Sequence, residues 1–152
     1  MSLKQKQRVS LSLRKAAKLD KDDLLAWRND SQVRANSFQS EIVTEEEHEQ
    51  WFSKLLQDKD RLLLIGCLDN KKIGVVRYDL IGAGYYEVDI NIAPDMRGQG
   101  WGAELLKQSL TWVKGKVKAR IKKNNTASIN AFEKAGYRLI SEDKGILTFE
   151  II

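Results

Sequence analysis

The sequence predicts a mixed α/β fold, a central and mostly antiparallel sheet with helices on both faces. Three observations carry this expectation. The periodicities give the order β-α-α-β-β-β-α-β-α-β-β, without the regular strand–helix alternation of a doubly wound parallel sheet. Three strands in mid-chain follow one another through short turns, as an antiparallel meander does. The last of them runs through Pro94 into a glycine-rich turn that opens an amphipathic helix. At 152 residues, 42% hydrophobic and 31% charged, the chain suits one domain over 1–152 with a proper core. Residues 1–7 are expected to be flexible or vector-derived, with Met1-Ser2-Leu3 reading as an expression scar.

Val9, Leu11 and Leu13 alternate with Ser10, Ser12 and Arg14, which predicts a first strand near 8–14. Asp20 is placed to cap a helix holding Leu24, Leu25, Trp27 and Arg28. Thr44 and Glu47 form a capping box for a second helix, whose Trp51, Phe52, Leu55 and Leu56 share one face. Between the two, 29–43 is polar and irregular, a loop of the kind that carries substrate contacts on a rigid scaffold. Leu62-Leu63-Leu64-Ile65 begins a buried strand, and Asp69-Asn70 turns the chain. The next strand, over 72–81, puts Val75 and Val76 on opposite faces. After Gly82-Ala83-Gly84, a strand over 85–93 alternates Val88, Ile90 and Ile92 with Glu87, Asp89 and Asn91. The helix behind the glycine turn runs from Ala103 to about Lys114, with Leu105, Leu106, Leu110 and Val113 inward. Val117, Ala119 and Ile121 mark a short strand, 126–135 a helix ended by Gly136, and strands near 137–141 and 146–151 close the chain.

A net charge of +5 favours acidic partners: a phosphorylated cofactor, an anionic substrate or nucleic acid. The densest basic cluster is Lys114, Lys116, Lys118, Arg120, Lys122 and Lys123, and it reads as the solvated side of a strand. It lacks aromatic interleaving and a recognition-helix pattern, which disfavours a nucleic-acid-binding module. No apolar run approaches the roughly 20 residues of a membrane span, and no secretory h-region is visible. The single Cys67 sits in an apolar run and reads as core filling, consistent with a reducing cytoplasm, where the protein is expected to work. No metal is expected.

The chemistry centres on Arg97-Gly98-Gln99-Gly100-Trp101-Gly102. Glycines bring bare backbone to a helix start, where unpaired N–H groups and the dipole favour an anion, and Arg97 adds a charge suited to phosphate. A dinucleotide fingerprint needs a longer G-x-G-x-x-G and a later acidic residue, whereas position 120 is Arg120; a P-loop needs Gly-Lys-Ser/Thr. Arg97, Gly100 and Gly102 instead match Q/R-x-x-G-x-G/A. Asn125, Ser128, Lys134, Gly136 and Tyr137 match a second element, N-x-x-A/S-x-x-x-Y-x-K-x-G-F. In both elements the chain resembles the GNAT-type acetyl-CoA-dependent N-acetyltransferases. Trp27-Arg28-Asn29-Asp30 and the stretch from Thr44 through His48 to Phe52 resemble the branch of ribosomal-protein alanine acetyltransferases and pseudaminic-acid-pathway amino-sugar acetyltransferases.

The resemblance implies a GNAT-like fold and direct attack of an amine on the thioester of acetyl-CoA. It places the diphosphate on the backbone of Gly98, Gln99, Gly100, Trp101 and Gly102 beside Arg97, and the pantetheine arm along Asn91, Ile92 and Ala93. Asn125 and Phe132 then touch the cofactor, Phe132 standing where the family often has a general-acid tyrosine. Glu87 matches a strand acid of the branch and is the candidate base; His48 and Asn91 complete the catalytic candidates, with Arg28 and Asn29 on the acceptor side. The acceptor implied is a small-molecule amine, foremost a nucleotide-linked amino sugar, with a protein N-terminus as the runner-up. A homodimer is left open, as is a protein that kept the CoA cradle and lost catalysis.

Overall fold

The computed structural model describes residues 10–82 and 84–151. The expectation for 1–7, the start of the first strand and Ala83 lie outside the described residues. The strands are β1 (Leu11–Lys15), β2 (Arg61–Leu68), β3 (Lys71–Ile81), β4 (Tyr85–Ile92), β5 (Lys116–Lys122), β6 (Arg138–Asp143) and β7 (Ile146–Ile151). The helices are α1 (Lys21–Asn29), α2 (Ser31–Asn36), α3 (Glu45–Gln57), α4 (Trp101–Ser109) and α5 (Thr126–Lys134). They form one sheet in the order β1-β2-β3-β4-β5-β7-β6. Every neighbouring pair is antiparallel except β4 and β5, which run parallel.

Strand alternation distributes the core between the two faces. Leu64, Val76, Tyr78, Val88, Val117, Ala119, Ile121 and Phe149 meet Leu105 and Leu106 of α4 and Phe132 of α5. The residues of opposite parity, Leu63, Ile65, Cys67 and Val75, meet Leu24 and Trp27 of α1 and Phe52 and Leu55 of α3. Cys67 is therefore core filling, as expected. Lys116, Lys118, Arg120 and Lys122 occupy the outer positions of β5, between the buried Val117, Ala119 and Ile121.

Three local expectations are corrected. Asp20 precedes α1 but its side chain does not cap it. Fully buried, it accepts two bonds of 2.8 Å from the Arg14 guanidinium, one of 2.8 Å from the Ala17 N–H, and pairs with Lys72 at 2.8 Å. The loop over 29–43 contains α2, whose N-terminus Asp30 caps by accepting from the Gln32 and Val33 N–H groups. The helix after the glycine turn starts at Trp101 and gives way to a 3₁₀ turn at Leu110–Trp112. The Thr44–Glu47 capping box is present, both bonds at 3.1 Å.

The Asp20 cluster carries a stability prediction. Its carboxyl is held well below the usual range by Arg14 and Lys72, against the opposing cost of burial. A carboxylate depressed in the folded state stabilises above its unfolded value, here the ordinary 3.8, and that contribution is lost as pH falls below it. Asp20→Asn leaves Arg14 and Lys72 facing an uncharged group and is expected to cost about 3 kcal/mol, measured by urea unfolding at pH 7. The difference from wild type is expected to shrink as the pH is lowered below 4.

Candidate active site

β4 and β5 pair only at Tyr85–Glu87 against Lys116–Lys118, although β4 continues to Ile92 and β5 to Lys122. Beyond Glu87 the strands diverge and open a cleft of about 1100 Å³. The free edge of β4 lines it. The Ala93 N–H donates to the Ile73 carbonyl at 2.8 Å, so in an antiparallel ladder Asn91 and Asp89 also turn their backbone groups to β3. Ile92, Ile90 and Val88 consequently point theirs into the gap, where an extended ligand can pair with them as a strand would.

One end of the cleft is the glycine turn. Gly98 and Gly100 have φ of 75° and 85°, the left-handed region that suits glycine, and a Cβ built on either meets nothing within 4 Å. Gly100 occupies the N-cap of α4 without any side-chain cap, so the first N–H groups of the helix stay open beside the cleft. Gly102 serves packing: a Cβ there would stand 3.3 Å from that of Ala131 on α5. Arg97 lines the cleft but is engaged, donating to Asp30 Oδ2 at 2.6 Å and Gln32 Oε1 at 3.0 Å. The pair with Arg97 holds the Asp30 carboxyl below the usual range.

Asn125 caps α5 by accepting from the Ser128 N–H at 3.2 Å and lines the same cleft. Phe132 is buried with its ring 4.9 Å from that of Tyr137, edge to face, and 6.5 Å from Phe149. Tyr137 cannot replace it as an acid. Its hydroxyl is buried beside that of Tyr78 without a well-aligned hydrogen bond among the described residues, burial and the Tyr78 neighbour push its pKa up, and it does not reach the cleft wall.

At the other end Glu87, Asp89 and Asn91 share a face of β4 and line the cleft. Glu87 is committed to Arg120, accepting from Nε at 2.7 Å and Nη2 at 3.2 Å. Asp89 makes no side-chain hydrogen bond or ion pair among the described residues and remains solvent-accessible. Enclosure by the cleft pushes its pKa above the usual carboxylate range, and the charges of Arg77 and Arg28 partly offset that rise. Arg77, opposite Asp89 in the β3–β4 register, bonds Asp79 at 3.1 Å and lies over the Trp51 ring at 5.8 Å.

His48 is buried rather than at the surface. Nε2 lies 3.1 Å from the Lys21 carbonyl, which only accepts, so Nε2 carries the proton. Burial lowers the ring's pKa, and Phe52 stacks on it at 5.8 Å. Arg28 lines the cleft, whereas Asn29, Ala93 and Gln99 do not. Asn29 exchanges two 2.8 Å bonds with the Val43 backbone and so fixes the segment around α2. Gln99 donates to the Asp95 carbonyl at 3.5 Å. Asp89 and Arg77 are among the cleft residues given no role from the sequence. For Asp89 the available signal was its shared strand parity with Glu87; Arg77 lies on β3 and shares that face only through the β3–β4 register.

An open helix N-terminus and an unpaired strand edge at one end, with a lone carboxylate at the other, define an enzyme that transfers an acyl group from an extended carrier. The chain belongs to the family described as the acetyltransferase (GNAT) domain, which it matches over residues 10–138, and it is an N-acetyltransferase. The fold is similar to that of a domain from Methanocaldococcus jannaschii, with 25% identity over 95% of this chain and 99% of that one and a TM-score of 0.83. It is also similar to spermidine N-acetyltransferase from Vibrio cholerae in complex with CoA and spermine (18% identity, 93% and 94% covered, TM-score 0.83). A third similar structure is aminoglycoside acetyltransferase AAC(6')-Ib with coenzyme A and kanamycin (19% identity, 93% and 94% covered, TM-score 0.78). No curated protein matches the sequence. No helix among the described residues is long and apolar enough to cross a membrane.

Proposed function

We propose that this chain moves the acetyl group of acetyl-CoA directly onto the primary amine of a small molecule, with Asp89 as the base. The observation that carries the reading is the splay of β4 from β5, which opens one cleft lined both by the glycine turn and by a carboxylate without a partner among the described residues. The diphosphate sits on the N–H groups opened by Gly98 and Gly100, and the pantetheine arm pairs along β4 through Ile92 and Ile90. Asn125 and Phe132 flank it. A backbone N–H of the β4 edge steadies the thioester oxygen. The ammonium gives one proton to Asp89, the amine nitrogen bonds the acetyl carbon, the C–S bond breaks to release the thiolate, and the second proton of the nitrogen passes to the departed thiolate or to water to leave the neutral amide. Phe132 has no proton to offer, and a thiolate is weakly basic enough to leave without one.

The proton falls to Asp89 because Glu87 is spent on Arg120, whereas His48 is buried, with its Nε2 held on the Lys21 carbonyl and its pKa lowered by that burial, which makes it the weaker proton acceptor. A base must be ionised to act, so kcat/KM is lost as pH falls through the raised Asp89 pKa. For the acceptor, the branch resemblance in Trp27–Asp30 and around His48 supports a nucleotide-linked amino sugar; a protein N-terminus is the second reading on the same ground. Thiol release from acetyl-CoA against amino-sugar nucleotides, other small amines and N-terminal peptides tests this. Turnover on peptides alone would overturn the small-molecule reading, and tight acetyl-CoA binding without turnover on any amine would overturn the enzymatic one.

A further inference from the structure

The acceptor end of the cleft has an uneven charge distribution. Arg77 is committed to Asp79, Arg97 to Asp30 and Arg120 to Glu87. Arg28, in the last turn of α1, has no carboxylate partner among the described residues. It donates only to the neutral Ser37 hydroxyl, at 3.3 Å. Among the acids, Asp79 and Glu87 are neutralised, and Glu47 is turned at the rim onto the Thr44 N–H. Among the described residues of the cleft, Arg28 on α1 and Asp89 on β4 are then left without an oppositely charged partner, as are Lys134 at the end of α5 and Glu47, exposed at the rim. Leu24, Leu63, Val75 and Trp51 add apolar surface to the lining of the same cleft.

We infer that the acceptor carries an anionic group as well as its amine, a carboxylate or phosphoryl that Arg28 binds while Asp89 takes the ammonium. This rests on the acetyltransferase reading above and adds a rule that reading lacks. A polycation such as a polyamine meets the guanidinium of Arg28, which repels it, where an anion-bearing acceptor is attracted, so it is expected to be the poorer acceptor. A guanidinium is suited to the task because it offers paired donors to the planar or tetrahedral oxygens of such groups, and desolvated charge-assisted bonds are the strong ones. Discrimination by charge follows from leaving Arg28 unpaired with any acceptor that lacks the anion.

Matched pairs of amines test the rule: an amino sugar against its phosphate ester, an amino acid against its decarboxylated amine, and spermidine as the polycation. The anion-bearing member is expected to have a kcat/KM about tenfold or more higher, expressed mostly in KM, with spermidine poorest. In Arg28→Ala this preference collapses towards one, and Arg28→Lys recovers part of it. Calorimetric binding of the phosphate ester, about tenfold weaker in Arg28→Ala, reads the same contact without turnover. Preference for the uncharged member or for spermidine overturns the inference while leaving an acetyltransferase in place. So does an equal loss for both members in Arg28→Ala, the mark of a structural arginine, or failure of every anion-bearing probe to bind. Binding of the ester without turnover on any amine would instead sink the catalytic reading and keep the anion site.

Discussion

Asp89→Asn is expected to lower kcat by about 10²- to 10⁴-fold with little change in the dissociation constant of acetyl-CoA. The substitution preserves size and removes the one cleft carboxylate of β4 that no cation holds. Stopped assays of thiol release across pH give the sharper test, because the acid limb of the wild-type profile reports the raised Asp89 pKa and should vanish with it. Glu87→Gln breaks the Arg120 ion pair at a half-exposed position, and its expected effect is several-fold rather than orders of magnitude. A Glu87→Gln enzyme as damaged as Asp89→Asn would move the base two residues along the strand.

Gly100→Val is expected to raise the acetyl-CoA dissociation constant at least about tenfold. Position 100 has a φ of 85°, where a β-branched side chain is strained by roughly 1–3 kcal/mol. No atom lies within 4 Å of the position that its Cβ would take. Either the turn keeps its shape and the side chain occupies the anion's approach, or the turn relaxes and the N–H groups of α4 lose their aim. Gly100→Ala shares the strain with less bulk and is expected to fall between. Calorimetric titration with acetyl-CoA, alongside thermal melting, separates lost binding from lost folding. Unchanged affinity in a folded Val variant would remove the cradle from this turn.

Much of this fold was legible in the sequence because its strands alternate cleanly and its longer helices announce their starts. Thr44 with Glu47, and Gly136 with its φ of 97°, are signals that act within a few residues of themselves. α2 escaped because Ser31–Asn36 is short and buries no residue; it is held by Asp30 and by Arg97 from far along the chain. Asp20 was misread for the same reason: its partners on β1 and β3 are set by tertiary packing and outbid a local cap. The identities of the cleft residues followed the same division. Periodicity put Glu87, Asp89 and Asn91 on one face, but only the pairing of β5 with β4 shows that Arg120 takes Glu87 and leaves Asp89 alone. Asn29 lies off the cleft wall, where its Nδ2 donates to, and its Oδ1 accepts from, the Val43 backbone.

The bond between Arg97 and Asp30 joins two parts of the molecule that the chain order keeps apart. Asp30 terminates α1, which carries Arg28, and starts α2; Arg97 belongs to the glycine turn proposed to hold the cofactor. An anion that draws Arg97 towards itself weakens its hold on Asp30, and whatever free energy that takes from the acceptor wall must be returned in kind. Thermodynamic linkage makes the exchange reciprocal, so an occupant of the acceptor wall would alter the grip on the cofactor by the same factor that the cofactor alters its own. On the proposed assignment the two binding constants are expected to be linked, and each is to be measured with the occupancy of the other site stated.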